Sequence, residues 1–557
     1  MEKIGEDSMI SVYVMQGQLK SEYKTTEKKT ILKLLQESGA YHIQALCGGG
    51  GTCGKCLVKV KTGQETRNVL ACQTQICDDM CIILESESQM AVAENGACMH
   101  YPADGVHTLA AACDIGTTTV VCHLLDGRSG ERLATVSAPN AQRVFGADVV
   151  SRIQASADGM LGQMHDAVIE QLNGMLSELC ETAGVGRKID YLAVAGNTVM
   201  CHILAGLAPD SIGTAPFTPQ SLFGEEMDGA AIGLEHIDKV YIAPAAAGYV
   251  GGDITAGMLS IGMDTSGRNE PAAMETNMRA SADMGTKSKA SADMETKSNV
   301  PVDKRAVSNV PDSGERLFVD IGTNGEIVLG SNGDYLCCAA AAGPAFEGAQ
   351  ITLGMPACTG AVSKVWVENG RIRVSVIGGG EAEGICGSGL VDALAVFLKA
   401  GLMDATGCVT EKSEAGQPYD SYIGVQGEGA CIYLTDKVYV TQADIRQMQM
   451  AKAAIAAGIQ ILLKERGISD SQVGELVLAG GFGSFLDLEN AAAVGLIPKK
   501  LLPIARSVGN AAGEGAVSAA LSIQAREKLT HIQNKLKYIE LSAHPLFFDE
   551  YIEQMEF

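Results

Sequence analysis

The tetrapeptide Asp-Ile-Gly-Thr occurs twice in this chain, each time between two apolar runs, and this duplication limits the possible folds more than any other feature. The second copy lies in LFVDIGTNGEIVLG, Leu317 to Gly330, around the stretch Asp320 to Glu326. It is followed by Asn332-Gly333, a favoured hairpin dipeptide. The first copy is AACDIGTTTVVCHLLDG, built around Asp114 and ending in the turn pair Asp126-Gly127. A carboxylate at the end of a buried strand, then a Gly that lets backbone N–H groups approach, then Thr hydroxyls, suits a Mg²⁺-bound phosphate chain. One such turn carries little weight, because Asp-Gly turns are common. Two copies predict two related lobes closing on one nucleotide.

The chain has 557 residues, enough for roughly three or four domains. Hydrophobic content of 46% with 19% charged residues suits a large globular protein, and 65 glycines suit an α/β protein rich in tight turns. A net charge of −24 would repel a phosphate backbone, so a nucleic-acid partner is excluded and the charge is read as solubility. No run of eighteen apolar residues appears, and the acidic start MEKIGEDSMI is not a signal peptide; no membrane span and a cytoplasmic location are expected. The seventeen cysteines are therefore expected as reduced thiols, with clusters read as metal ligands.

One cluster qualifies, in a module of residues 8–95. Met9 to Met15 alternates like a strand, and Lys29 to Ser38 carries Ile31, Leu34 and Leu35 on one helical face before Gly39. Then come Cys47, Cys53 and Cys56 in C-x5-C-x2-C, the strand CLVKVKTG, and Cys72 after Leu70-Ala71. Four thiolates can hold a [2Fe–2S] cluster if one loop supplies three of them, and glycines let that loop wrap it. The plant-type first gap holds four residues rather than five, but the close pair and the distant cysteine are kept. A zinc site would more usually show two C-x2-C knuckles. Cys77 and Cys81 compete with Cys72, which sits better, directly after an apolar strand. The strand–helix–loop–strand order predicts a β-grasp ferredoxin.

A polar stretch from Glu85 leads into a linker, 96–107, where Cys98 and His100 read as incidental. A first lobe is expected over 108–263. It holds the Asp114 turn and Asn140 to Arg152, dense in polar groups, which either lines a cleft or caps a helix. Met164, Val168, Leu172, Met175, Leu176 and Leu179 make a helical stripe read as core. The strand Leu192 to Gly196 meets Asn197 before an apolar helix, a hinge position, where His202 reads as a core histidine. Gly251-Gly252-Asp253 reads as another strand-to-helix turn facing the cleft. Residues 264–315 contain ASADMGTKSK followed at once by ASADMETKSN and are expected to be a disordered, passive insertion.

A second lobe is expected over 316–525, with the Asp320 turn and small-residue turns at Ala339 to Gly348 and Gly384 to Gly389. Thr441 and Asp444 form a capping box before a long helix. The strand Glu475 to Ala479 opens into Gly480, Gly481 and Gly483, suited to carrying an adenine ring on bare backbone. Gly509-Asn510 mirrors Gly196-Asn197. Residues 526–557 are expected as a tail packed on the surface.

In this order the turns resemble the acetate and sugar kinase/Hsc70/actin superfamily. Joined to an N-terminal C-x5-C-x2-C ferredoxin, they resemble the reductive activators of corrinoid-dependent enzymes. NAQRVFGADVVSR, AGNTVMCH, DIGTNGEIVLG, AAGPAFEG, GICGSGL, QMQMAKAAI and LAGGFGS are similar to that family's signatures and span nearly the whole chain outside 264–315. The resemblance implies a β-grasp [2Fe–2S] ferredoxin followed by a two-lobed actin/Hsc70/sugar-kinase-like ATPase. It implies an ATP-hydrolysing reductase that passes one electron from its cluster to the inactive Co(II) form of a corrinoid protein, restoring Co(I) for methyl transfer.

In that reading Cys47, Cys53, Cys56 and Cys72 ligate the cluster, and Asp114 and Asp320 hold Mg²⁺ or its waters. Thr117, Thr118, Thr323 and Asn324 contact phosphates; Gly480, Gly481 and Gly483 approach the adenosine; Gly116, Gly196, Asn197 and Gly322 complete the nucleotide set. No residue stands out as the base that activates water. A low-potential donor such as a ferredoxin or flavodoxin would reload the cluster, and a homodimer is in keeping with the family. Two alternatives fit the same residues: a non-catalytic, nucleotide-gated chaperone or release factor, and an activator of a radical dehydratase.

Overall fold

The computed structural model describes residues 9–16, 19–38, 41, 43, 49, 51, 55–63, 65–84, 96, 99, 101–264, 314–348, 350–427, 429–483 and 485–557. Cys47, Cys53, Cys98, His100 and the repeats of the expected insertion lie outside the described residues. Glu315, placed in that insertion, already opens a strand.

The first unit is a mixed sheet crossed by one helix. Its strands are Ile10–Gln16 (β1), Leu19–Thr25 (β2), Leu57–Thr62 (β3), Glu65–Leu70 (β4) and Met80–Leu84 (β5), and its helix is Ile31–Ser38 (α1). The sheet order is β2-β1-β5-β3-β4, with β1 and β5 parallel and the neighbouring pairs antiparallel. Ile31, Leu32, Leu34 and Leu35 of α1 are buried, as a 3.6-residue period requires. This is the β-grasp architecture expected from the sequence.

The next unit opens with an antiparallel meander, Leu109–Ile115 (β6), Thr119–Asp126 (β7) and Arg132–Pro139 (β8). Helices Val149–Ala155 (α2) and Leu161–Ala183 (α3) follow. Then come Ile189–Gly196 (β9), Thr198–Leu204 (α4), Glu226–Asp228 (β10), Ile237–Ile242 (β11) and Gly252–Ser260 (α5). The sheet order is β10-β11-β9-β6-β7-β8. β6 pairs in parallel with β9, and β9 with β11. The stripe from Met164 to Leu179 on α3 is buried, as expected of core.

The third unit repeats this plan. Its meander is Glu315–Ile321 (β12), Gly325–Ser331 (β13) and Asp334–Ala340 (β14), with Asn332 and Gly333 both at positive φ in the hairpin turn. Small strands Ala361–Glu368 (β15), Arg371–Val376 (β16) and Gly384–Ile385 (β17) lead to helix Gly387–Ala400 (α6). A second small sheet, Ile423–Gln426 (β18), Gly429–Tyr433 (β19) and Tyr439–Thr441 (β20), leads to the long helix Gln442–Arg466 (α7). The expected capping box is formed at its start, by Thr441 and Asp444. Val473–Ala479 (β21), the four-residue turn Gly480–Gly483 (α8), Leu488–Ala493 (α9), Ala505–Ser507 (β22) and Ala511–Leu521 (α10) complete the repeat. The end of the chain adds Ile523–Lys535 (α11), Leu536–Tyr538 (β23) and Phe547–Glu553 (α12).

In the sheet order β22-β21-β12-β13-β14-β23 the first five strands match β11-β9-β6-β7-β8 of the earlier lobe, and the unmatched β10 and β23 lie at opposite edges. In both lobes the Asp-Ile-Gly-Thr turn joins the first and second strands. The segment set apart as a surface tail instead supplies an edge strand, β23, parallel to β14, and a helix whose Glu550 pairs with Lys464 of α7. Three residues of strand carry too little pattern to be seen without the edge they pair with.

The cysteines depart from expectation at one place. Cys113 and Cys122 stand directly opposite across β6 and β7, with 4.2 Å between Cα atoms, and are joined as a disulfide. Cys180, Cys201 and Cys431 are free thiols.

Helices α5 and α10 pack against each other between the lobes, and α10 also lies on β6 and β9 of the other lobe. Arg316 on β12 and Arg506 on β22 both donate to the buried carboxylate of Glu475 on β21, at 2.6 and 2.7 Å. Burial alone would raise the Glu475 carboxyl, but the two guanidiniums outweigh it and hold it below the usual range. Glu475→Ala leaves two guanidiniums facing an apolar strand, and the expected cost is about 3 kcal/mol. A thermal melt of the variant reads it; a loss under about 1 kcal/mol, the worth of an exposed pair, would contradict the arrangement.

Candidate functional site

The two Asp-Ile-Gly-Thr turns face one cleft. Asp114 ends β6, and the turn after it is closed by the Gly116 N–H donating to the Thr119 carbonyl at 2.9 Å. Asp320 ends β12, and the Gly322 N–H donates to the Asn324 carbonyl, also at 2.9 Å. Thr117 and Thr323 are buried. The Asn197 amide caps α4 and donates to the Thr117 hydroxyl at 3.0 Å. In the other lobe Asn510 caps α10 and hydrogen-bonds Asp114. The two Gly-Asn turns thus hold the cleft floor from both sides.

Asp114 and Asp320 are not alone there. Asp253, in the first turn of α5, acts on both through space, and Glu326, on β13, feels Asp253 and Asp320. Burial first, and then the charge of Asp253, push the Asp114 carboxyl up to about 7. Burial pushes Asp253 up to about 6. Burial, then Asp253 and Asp114, push Asp320 up to about 8, and Glu326 is raised by burial and by Asp253 and Asp320. As whole residues the three aspartates are only partly covered.

Among the described residues no three His, Cys, Asp or Glu side chains converge closely enough to hold a metal ion by themselves. This donor set fits Mg²⁺ bound by one or two carboxylates, with waters and phosphate oxygens completing its shell. A dedicated all-protein metal cage is a poorer fit.

Glu347 occupies the centre of the cleft. Its Oε1 accepts hydrogen bonds from the Thr118 hydroxyl of one lobe and the Thr323 hydroxyl of the other, each at 2.7 Å. Burial raises its carboxyl, opposed by those two hydrogen bonds and by Arg152 and Arg143. Arg152 is fully buried and donates to the carbonyls of Thr117 and Gly146. The Asn140 amide donates to the Gly116 carbonyl at 2.7 Å while its oxygen caps a short helical turn. The segment Asn140 to Arg152 therefore does both things the sequence allows: it caps α2 through Asp148 and buttresses the first turn.

Gly480 has φ +91° and sits against the second turn, where an added Cβ would lie 2.4 Å from Asp320 Oδ1. Gly481 has no neighbour where a Cβ would stand, so its face is open to a ligand. Gly483 accepts from the Ser507 hydroxyl through its carbonyl. Phe482 packs on Phe346, ring centres 4.8 Å apart, and so ties this turn to the segment carrying Glu347. His202 is a core histidine as expected: it is buried, bonded to the Thr198 carbonyl, and accepts from the Gln220 and Ser221 N–H groups.

In the β-grasp unit, Cys56 enters β3 and Cys72 follows β4. The Ala71 N–H bonds to the Cys56 carbonyl at 2.8 Å, and the two sulfurs come within 3.3 Å. Cys77 is exposed, and Cys81 lies on β5 against Met15. Two converging thiols, one just before β3 and one just after its antiparallel neighbour β4, fit part of a cysteine-ligated iron–sulfur site.

Sequence reasoning set Asp253 in a turn facing the cleft, Arg152 in a segment able to line it, Glu326 at the end of the second turn's stretch and Glu347 within AAGPAFEG, but named none of them as a site residue.

Residues 315–557 match the model described as the C-terminal domain of RACo, the ASKHA domain. Residues 109–266 match the RACo middle region, and residues 15–77 a 2Fe-2S iron-sulfur cluster binding domain. The chain is similar to the corrinoid activation enzyme RamQ of Eubacterium limosum, 30% identical over 92% of this chain and 93% of that one. It is also similar to the [Co(II) methylated amine-specific corrinoid protein] reductase of Methanosarcina barkeri, 28% identical over 33% of this chain and 34% of that one. Among solved structures it resembles a reductive activator for corrinoid, iron-sulfur protein, with TM-score 0.65 and 28% identity over 98% of both chains.

Gly480→Ala forces a Cβ into a left-handed backbone and onto the Asp320 carboxylate. The expected outcome is at least a tenfold loss of affinity for an ATP analogue, about 1.4 kcal/mol, with the iron–sulfur absorption unchanged. Unaltered nucleotide affinity would contradict the placement of Gly480 beside the site.

Proposed function

The chain belongs to the RACo family, and on that premise we propose that it is an ATP-dependent reductive activator of a corrinoid protein. It passes one electron to the inactive Co(II) form and restores Co(I) for methyl transfer. The observation that carries this reading is the union, in one chain, of a cysteine loop on a β-grasp unit with a duplicated acidic cleft. The iron–sulfur cluster, when bound by Cys47, Cys53, Cys56 and Cys72, supplies the single electron. A low-potential ferredoxin or flavodoxin reloads it, and the protein works as a homodimer in the cytoplasm. Among the described residues no helix is long and apolar enough to cross a membrane.

In the cleft, Asp114 and Asp320 hold Mg²⁺ or its waters, helped by Asp253 and Glu326. Thr117, Thr118, Thr323 and Asn324 bond the phosphates. Gly116 and Gly322 let backbone approach them, and Gly196-Asn197 fixes the Thr117 hydroxyl. Gly480, Gly481 and Gly483 take the adenosine. For a one-electron couple a gap of about 59 mV is a factor of ten, or about 1.4 kcal/mol. A plant-type potential near about −400 mV can therefore serve a lower-potential cobalt if nucleotide-dependent binding disfavours the Co(II) form by a few kcal/mol.

Asp320→Asn removes a cation-holding charge without changing shape. The expected outcome is loss of ATP turnover and of ATP-dependent corrinoid reduction, with the cluster spectrum intact; normal turnover would overturn the assignment. The raised carboxyls give a second test. Protons compete with the cation for Asp253, Asp114 and Asp320, whose values are about 6, 7 and 8. Apparent affinity for a Mg²⁺–ATP analogue should therefore rise with pH from about 6 to about 8 and then level, read by calorimetry. Affinity that is flat across this window would contradict cation binding at these residues.

A further inference from the structure

The β-grasp unit touches both lobes. The Gln36 amide of α1 donates to the Val144 carbonyl at 2.8 Å, in the lobe that carries Asp114. On the other side Lys55, directly before Cys56, donates from Nζ to the carbonyls of Gly354 and Ile351, at 3.1 and 3.3 Å, in the lobe that carries Asp320. Those carbonyls belong to the segment that packs on the residue after Glu347. Gly348 has φ +77°, and a Cβ there would lie 2.6 Å from the Met355 N and 3.0 Å from the Gly354 carbonyl carbon. A Cβ on Gly354 would in turn stand 2.0 Å from the Gly348 oxygen. Glu347, Gly348, Gly354 and Lys55 thus form one contiguous line from the phosphate turns to the cysteine loop. There is no slack at the glycine contact.

Each end of this line carries a charge that the chemistry of the site would pull. Glu347 holds the Thr118 and Thr323 hydroxyls, the groups assigned to the phosphates. A bound polyphosphate competes for those hydroxyls and repels the carboxylate. At the other end, a cluster held by Cys56 and its partners would gain one negative charge on reduction, next along the chain from Lys55. That charge would compete with the Ile351 and Gly354 carbonyls for the ammonium.

Resting on the activator reading above, we propose that Lys55 and Glu347 are the two ends of a redox-gated clasp. Cluster reduction and nucleotide binding both loosen the contact between the cysteine loop and the second lobe, and therefore favour each other. The clasp makes the reduced protein the form that takes up ATP, so nucleotide is not hydrolysed when there is no electron to deliver. By linkage the effect must be reciprocal.

The test is the affinity of a non-hydrolysable Mg²⁺–ATP analogue for the full-length protein, titrated without oxygen in the oxidised and the dithionite-reduced state. The wild type is expected to bind more tightly when reduced, by about 5- to 150-fold, the usual range for coupled sites. Lys55→Met keeps the apolar stem and removes the donor. It is expected to raise the oxidised-state affinity to the reduced-state value and bring the ratio to one.

Equal wild-type affinities in the two states, or a wild-type ratio kept in Lys55→Met, would overturn the clasp. If Lys55→Met does not load its cluster, judged by visible absorption, Glu347→Gln reads the same line from the other end. Its neutral amide yields more readily to phosphate, so the ratio should narrow, and a retained wild-type ratio overturns the proposal. A wild type that holds no cluster or binds no nucleotide fails earlier, and refutes the activator reading itself.

Discussion

Four buried carboxylates that act on one another through space are the constraint on which the rest of this structure depends. Asp114, Asp253, Asp320 and Glu326 each sit at a strand end, a helix start or a strand start, and all are raised by burial. Such a group of like charges is costly without a counter-charge. A divalent cation, on the reading proposed above, would relieve that cost, with the lobes holding the carboxylates in place before it arrives. The fold supplies the rigidity: two sheets of the same strand order, with α5 and α10 packed between them.

The second consequence is communication. Glu347 bonds hydroxyls of both lobes, and its neighbours reach the Gly480 turn through Phe346 and Phe482 and the cysteine loop through Gly348, Gly354 and Lys55. The Gly354 segment is also anchored to the start of α7, where the Thr352 N–H and hydroxyl bond the Asp444 carboxylate. The same segment therefore touches the start of α7 and the β-grasp unit. A protein that must time electron delivery to nucleotide state needs a connection of this kind.

Much of this was legible in the sequence because it is local. The duplicated Asp-Ile-Gly-Thr turns, the caps at Asn197 and Asn510, the capping box at Thr441 and Asp444, and the stripe on α3 follow from spacing and residue chemistry within a few positions. What stayed hidden depends on partners far away in the chain. Glu347 acquires meaning only when Thr118, 229 positions earlier, is folded against it. Lys55 looks like a surface lysine between cysteines until carbonyls nearly 300 positions later close on it. β23 is strand only because β14 offers an open edge, and the Cys113–Cys122 pair follows from strand register.

The most direct measurement mixes the oxygen-free, reduced protein with a Co(II) corrinoid protein and follows the visible spectrum with and without ATP. The account predicts growth of a Co(I) band only when ATP is present, in step with oxidation of the iron–sulfur cluster. ATP hydrolysis with the cluster still reduced and the cobalt unchanged, across several corrinoid proteins, would contradict it and leave a nucleotide-gated binding protein in its place.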